Sequence, residues 1–343
     1  MLRRTTECLV LAGFLVAARA QQIEIRMATL APEGSPWHKV LERMGERWRI
    51  ISGGKVKLNI FPGGTLGDEP DLVNKMRINQ IQAVALSGVG MSDVEPGVRC
   101  LQIPMMFDSY EELDYVRDRV APRLEKMIES RGYLVLNWGD AGWVHIFSKT
   151  TVRSLDDLRK IRLFTWAGDN EELELWKANK FKPVALAATD ILMGLQTGLI
   201  DAVPTTPLYA LWNQCFALAN HMNDIKWAPL IGATLISKAA WEKIPQDQRV
   251  PMLQAARDSG EQLRSGIRSM GDAAITAMMK GQPGKRQVKL TVTHGDASLL
   301  ADWRKQAEDA YPKMRGKLIP ADLFDEVRRL RDEYRELSKG ARK

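Results

Sequence analysis

The stretch IEIRMATLAPEGSPWHKVLERMGERWRIISGGKVKLNIF, residues 23–61, decides the fold. Its opening, IEIRMATL, alternates apolar and polar side chains, the period of a strand with one buried face. Ser35 then supplies a side-chain oxygen to cap a first helical turn, and Pro36 follows where a missing N–H costs nothing. Val40, Leu41, Met44 and Trp48 fall on one helical face, and Gly53 and Gly54 stop the helix. KVKLNIF (55–61) alternates again as a second strand. Strand, helix, strand is the pattern of a parallel crossover, with helices covering the sheet.

The pattern continues outward. The loop PGGTLGDEP (62–70) leads to a helix around residues 71–79, and IQAVALSG (81–88) is the next strand. A second unit begins after residue 150. KIRLFTW (160–166) is a strand, DNEELELWKAN (169–179) a helix and KPVALA (182–187) a strand. TDILMGLQTG (189–198) is a helix with Thr189 as its cap and Gly198 as its stop, and LIDAVPTTP (199–207) is a short strand entering a loop. Two long extended segments, 132–149 and 227–238, lie where the units meet and predict a double crossing between two lobes. Residues 245–281 read as one long helix. The expected division is a first lobe of 21–143 plus 230–252 and a second of 144–229 plus 253–343, the latter with the long helix and the C-terminal helices.

The 343-residue chain, with 45% hydrophobic and 27% charged residues, has an ordinary globular balance. Its first 20 residues stand apart: Arg3 and Arg4 precede an apolar run from Cys8 to Ala18, and Ala18-Arg19-Ala20 is a small-x-small site. That is the pattern of a cleaved secretory signal, since an apolar run of 11 residues falls short of the roughly 20 that span a bilayer. Cleavage lowers the net charge from +7 to +5, and the basic C-terminal stretch RRLRDEYRELSKGARK interleaves acids, so no nucleic-acid arm is expected. Cys100 and Cys215 remain, each among apolar neighbours where a free thiol packs as a small hydrophobe.

Enzyme motifs are missing. The sequence has no nucleophile elbow, phosphate loop, HExxH or paired CxxC, and GVGMSD (88–93) lacks the third glycine of a dinucleotide loop. His38, His145, His221 and His294 are scattered. No catalytic residue, metal or cofactor is assigned.

In open α/β sheets ligands bind beyond the carboxyl ends of the strands. Those ends lie after Leu30, at Leu86–Ser87, around Trp143, at Thr165–Trp166 and at Pro204-Thr205-Thr206. Trp37, Trp143 and Trp166, three of ten tryptophans, fall at loop or helix-start positions where an indole lines a pocket. Each is equally a core residue by composition alone. Arg162 poses the sharper question, because a permanent charge stands in an apolar strand. It is a solvent-facing edge residue, a partner of Asp156 or Asp157, or a clamp that grips a carboxylate with two parallel hydrogen bonds.

Five segments in fixed order carry a resemblance: FPGGTLGDEPDLVNKMRINQIQAV, LQIPMMFDSYEEL, SLDDLRKIRL, LQTGLIDAV and GATLISKAAWEKIP. Over residues 22–320 the chain resembles the periplasmic solute-binding proteins of TRAP (tripartite ATP-independent periplasmic) transporters, the DctP-like family. The resemblance implies an α/β, two-lobe periplasmic binding-protein fold, with mixed sheets, hinge strands and a lobe-spanning helix. It implies capture of an organic acid, usually a carboxylate, in a cleft, and delivery to membrane permease subunits. It matches Arg162 to the arginine that pairs with the ligand, with Thr165, Trp166, Trp143, Thr205, Thr206, Trp37 and Ser87 around it. It implies a periplasmic protein, expected to be monomeric, although some relatives dimerise through the terminal helix.

The chain also departs from the family pattern. Val144 stands where many relatives carry a second arginine, Val203-Pro204-Thr205-Thr206-Pro207 replaces a loop that often holds asparagine, and Phe164 occupies a position that is often proline. The expected pocket is therefore less charged and more aromatic, suited to a monocarboxylate with an apolar or aromatic body. A partner of a periplasmic sensor and an exported enzyme on the same scaffold remain alternatives.

Overall fold

The computed structural model describes residues 22–281 and 288–340. Strand β1 (Ile23–Thr29) pairs in parallel with β2 (Val56–Phe61), across helix α1 (Pro36–Ile51). Ser35 caps α1 by accepting from the His38 amide, and Pro36 opens its first turn. The apolar face of α1 is buried, and Trp48 at its end donates through Nε1 to the Met252 carbonyl at 2.9 Å.

Helix α2 (Glu69–Arg77) starts two residues before the expected position, because Asp68 caps it in a capping box with Asp71. It leads to β3 (Ala83–Ser87), which pairs in parallel with β1. A short α3 (Gly88–Ser92) and the long α4 (Tyr110–Ser130) precede β4 (Tyr133–Trp143). The first sheet runs β2-β1-β3-β10-β4, with β10 (Pro229–Ser237) inserted between β3 and the edge strand β4 and antiparallel to both. A Cβ on Gly232 of β10 would lie 2.5 Å from the Leu86 carbonyl oxygen, so only glycine permits this pairing.

The second sheet has the order β11-β9-β5-β8-β6-β7. It comprises β5 (His145–Ser148), β6 (Arg162–Trp166), β7 (Lys182–Leu186), β8 (Ala202–Thr205), β9 (His221–Asn223) and β11 (Thr291–Thr293). Helices α5 (Leu155–Lys160), α6 (Asn170–Ala178), α7 (Ile191–Thr197) and α8 (Pro207–Trp212) connect its strands. Gly198 stops α7 with φ 75°, as expected, but Thr189 does not cap it: Asp190 holds the cap position and makes no side-chain bond.

The chain passes between sheets at Val144 and returns at residues 224–228. The two crossings are hydrogen-bonded to each other, Val144 N to Ala228 O at 2.8 Å and Trp227 N to Val144 O at 2.9 Å. After α9 (Lys238–Trp241), helix α10 (Gln246–Lys280) supplies a third connection. Its 35 residues span about 50 Å at 1.5 Å each. It lies so close to β4 that a Cβ on Gly260 would meet Asn137 Cβ and the Trp138 carbonyl oxygen at 2.7 Å.

The C-terminal helices depart from the expected division. Helix α11 (Ala297–Met314) buries Trp303 and Ala307 with Leu158, Leu163 and Trp176 of the second sheet's lobe. Helix α12 (Ala321–Gly340), in contrast, packs Leu323, Phe324, Val327 and Leu330 against Leu113, Val116 and Val120 of α4. The chain therefore ends on the first lobe. Cys100 and Cys215 are free and lie in different cores. No helix among the described residues is long and apolar enough to cross a membrane.

Candidate functional site

The carboxyl ends of β1, β3, β6 and β8, two strands from each sheet, face one cleft. A cavity of about 140 Å³ there is lined by Leu30, Trp37, Ser87, Phe164, Trp166, Thr205 and Tyr209, with Gly232 at its floor. An engineered cavity of about 150 Å³ holds a benzene, so the space suits one small ring or a branched aliphatic body. Phe164 and Trp166 meet edge to face at 5.1 Å. Trp37, from the first turn of α1, packs against Leu208 of α8 and Ile267 of α10, which fixes the indole.

Trp37, Ser87, Trp166 and Thr205 thus line the cleft as the sequence suggested. Three expected residues lie nearby without lining it. Thr206 is fully buried and caps α8, accepting from the Tyr209 amide. Trp143 packs in the first lobe's core, its ring 5.3 Å from that of Tyr110. Thr165 points away from its neighbours Phe164 and Trp166 by strand alternation, and its buried hydroxyl has no partner.

Arg162 requires correction. It is the first residue of β6, at the amino end, while the cleft lies at the carboxyl end. Its side chain is 49% exposed. Its guanidinium grips Asp201 with two parallel bonds of 2.8 and 2.9 Å, and its own amide also donates to that carboxylate. The fork geometry was anticipated, but the carboxylate belongs to the protein, and it is Asp201 rather than Asp156 or Asp157. Arg162 holds the Asp201 carboxyl below its ordinary range. Arg162→Ala is expected to leave solute affinity by calorimetry within about twofold, as befits an exposed pair remote from the cleft.

Two acids that sequence reasoning missed lie in the cleft wall. Glu69, 2% exposed, accepts from the Ser87 amide at 2.7 Å, the Ser87 hydroxyl at 2.6 Å and the Gly90 amide at 2.9 Å. Burial outweighs these bonds and pushes its carboxyl up to about 7. Asp140, near the end of β4, gives Oδ2 to Arg268 Nε and Nη2 at 3.0 and 2.7 Å. Its Oδ1 is buried without a partner. Among the described residues lining the cavity there is no lysine or arginine. Their only legible signal was an acid in each of two loop-like spellings, GDEP and GDAG, where a cap or turn explains it equally well.

Behind Trp166, Pro204, Thr205 and Leu230 lies a second cavity of about 160 Å³, walled by Trp176, Phe181 and Trp227. Arg99 reaches it, but is paired with Asp169 at 2.7 Å. Burial, with the Asp169 charge beside it, raises the Glu172 carboxyl above its ordinary range. The lobes also touch across the cleft's rim: Asp68, the α2 cap, accepts from the Ala188 amide of the other lobe at 2.8 Å.

The family model for bacterial extracellular solute-binding protein, family 7, matches residues 27–317. A solute-binding protein of Roseobacter denitrificans is 24% identical over 71% of this chain and 75% of its own length. Among solved structures, a TRAP periplasmic solute-binding protein of Ralstonia eutropha with bound (S)-2-acetolactate has a TM-score of 0.83 at 19% identity, covering 91% of this chain and 99% of that one. The sugar-acid-binding DctPAm of Advenella mimigardefordensis, in complex with galactonate, gives the same TM-score, identity and coverage.

Proposed function

Since the chain belongs to family 7 of the bacterial extracellular solute-binding proteins, we propose that it is the periplasmic receptor of a TRAP-type uptake system, which closes over a small organic acid and hands it to membrane permease subunits. The observation that carries this reading is the placement of the cleft. Strand ends from two sheets supply its walls, while the paired crossings, α10 and the α11–α12 turn carry the chain between the lobes. Such a joint permits closure about a few residues near Val144 and Ala228, driven by the solute's preference for the closed form.

One chain supplies every wall of the cleft, which supports a receptor that binds its solute as a monomer. Export by cleavage after Ala20 falls to residues outside the described ones. Two solved relatives, with acetolactate and with galactonate, make hydroxylated acids the first solutes to try. The arginine clamp expected for the carboxylate is not at Arg162. The aromatic body expected of the ligand agrees with Trp37, Phe164 and Trp166.

Small-angle scattering tests closure. A bound solute is expected to lower the radius of gyration, and at 100 times its Kd to stabilise the protein by about 2.7 kcal/mol. A solute that binds with no compaction would refute the receptor mechanism. Uptake into proteoliposomes holding the permease tests delivery.

A further inference from the structure

We propose that Asp140 is the specificity-determining residue of the cleft, accepting a hydrogen bond through Oδ1 from a hydroxyl or ammonium group on the solute. This rests on the receptor reading above and narrows its ligand to hydroxy or amino acids with a compact apolar body and a single carboxylate.

Three observations converge. Asp140 lines the cleft at 3% exposure, with Oδ2 committed to Arg268 and Oδ1 buried and unpartnered. A buried acceptor left unmade costs about 1–3 kcal/mol, so a donor arriving with the solute relieves a standing penalty. The lining offers no competing donor from a lysine or arginine, and its other acid, Glu69, already has both oxygens occupied by Ser87 and Gly90. Asp140 Oδ1 is therefore the buried carboxylate oxygen left free in a lining whose other polar groups, such as Thr29, Asn137, Thr205 and Tyr209, are neutral. Each carboxylate on a solute meets no countercharge in such a lining and faces two acids, so a second one only adds to the cost, whereas a hydroxyl or ammonium meets an acceptor of fixed orientation. Sites built to bond a donor reject the analogue that lacks it far more sharply than apolar pockets reject a methylene.

Arg268 is what makes this acceptor specific. Its fork holds Oδ2 and, through two further bonds, Asp114 of α4, so the carboxylate cannot rotate to satisfy Oδ1 elsewhere. Small solutes without a donor would fill the ring space and leave Oδ1 as it is.

Calorimetry and scattering on matched solutes test the assignment: isovalerate, 2-hydroxyisovalerate and valine; 3-phenylpropionate, phenyllactate and phenylalanine; and succinate. In at least one series a donor-bearing member is expected to bind ten or more times more tightly than its donorless parent and than succinate. In Asp140→Ala, whose Arg268 retains Asp114, that preference should shrink to within about twofold while the parent binds no more weakly than before. Asp140→Asn, which keeps the shape, should lose the ammonium series more than the hydroxyl series. If succinate or a donorless acid binds best and compacts the protein, the receptor reading stands and this assignment falls. A preference that survives Asp140→Ala also overturns it. If no solute in any series binds or compacts the protein, both fall.

Discussion

Arg268→Met is expected to destabilise the protein by about 3–5 kcal/mol in urea unfolding, the cost of removing one partner from a buried ion pair. Arg268 projects from α10 into the junction of α4 and β4. It makes two bonds to Asp114 at 2.7 and 2.8 Å and two to Asp140 at 3.0 and 2.7 Å, with its guanidinium 4.2 Å from the centre of the Tyr110 ring. The substitution strands Asp140, which is 3% exposed, and whose carboxyl is raised by burial even with the arginine present. Asp114 suffers less, because it also pairs with Arg117 and lies near Arg264. Arg268→Lys should recover less than half the loss, since an ammonium cannot hold two carboxylates in a planar fork. A loss below 1 kcal/mol for Arg268→Met would show that the network contributes nothing net. Because α10 is one of the links between the lobes, scattering on the same variant reports whether the network also fixes their angle.

Much of this arrangement was legible in the sequence, for identifiable reasons. Ser35-Pro36 and the spacing of Val40, Leu41, Met44 and Trp48 specify a helix locally, and each is found. The break between lobes at Val144 was legible because extended segments too long for one sheet must pass from one to another. What the pattern could not give is which partner a buried face chooses. Helix α12 has a clear apolar stripe, and nothing in its spacing says that Val327 meets Val116 of the first lobe rather than α11. Arg162 failed for a related reason. Its partner, Asp201, is 39 residues away and becomes adjacent only when β8 lies beside β6. Parallel strands also have polarity, and a residue two positions before Phe164 sits at the wrong end to meet a ligand. The alternation that made Arg162 look misplaced in fact marks Phe164 and Trp166 as the cleft residues of that strand.

The loop GVGMSD posed the converse problem, since it has glycines where a phosphate loop would and no phosphate-binding pattern. Its occupant is Glu69. A Cβ on Gly90 would fall 2.6 Å from Glu69 Oε2, and one on Gly88 would fall 2.3 Å from Gln102 Oε1, so both glycines make room for side chains of the protein itself. The Glu69 carboxylate takes the donors at the start of α3 that an anionic ligand would take. This produces a definite pH dependence. Burial raises the Glu69 carboxyl from 4.5 to about 7 in the folded protein. The folded state thus holds a proton between pH 4.5 and 7 that the unfolded chain has released. Stability from this group is full below pH 4.5 and is lost as pH rises through 7, a swing of about 3 kcal/mol at 1.36 kcal/mol per unit. Glu69→Gln keeps the shape and removes the proton, so the difference between wild-type and variant unfolding free energies should change by that amount between pH 4.5 and 7.5. Glu172, also raised by burial, is present in both proteins and cancels from the difference. A difference that stays flat across that range would mean that the three hydrogen bonds, not burial, set the charge of Glu69, and that the loop is held by an anion at every pH above 5. Glu69→Ala removes the acceptor altogether. It leaves the Gly90 amide unpaired in a wall of the cleft, so its loss should exceed that of Glu69→Gln at pH 5, where the carboxyl is still protonated.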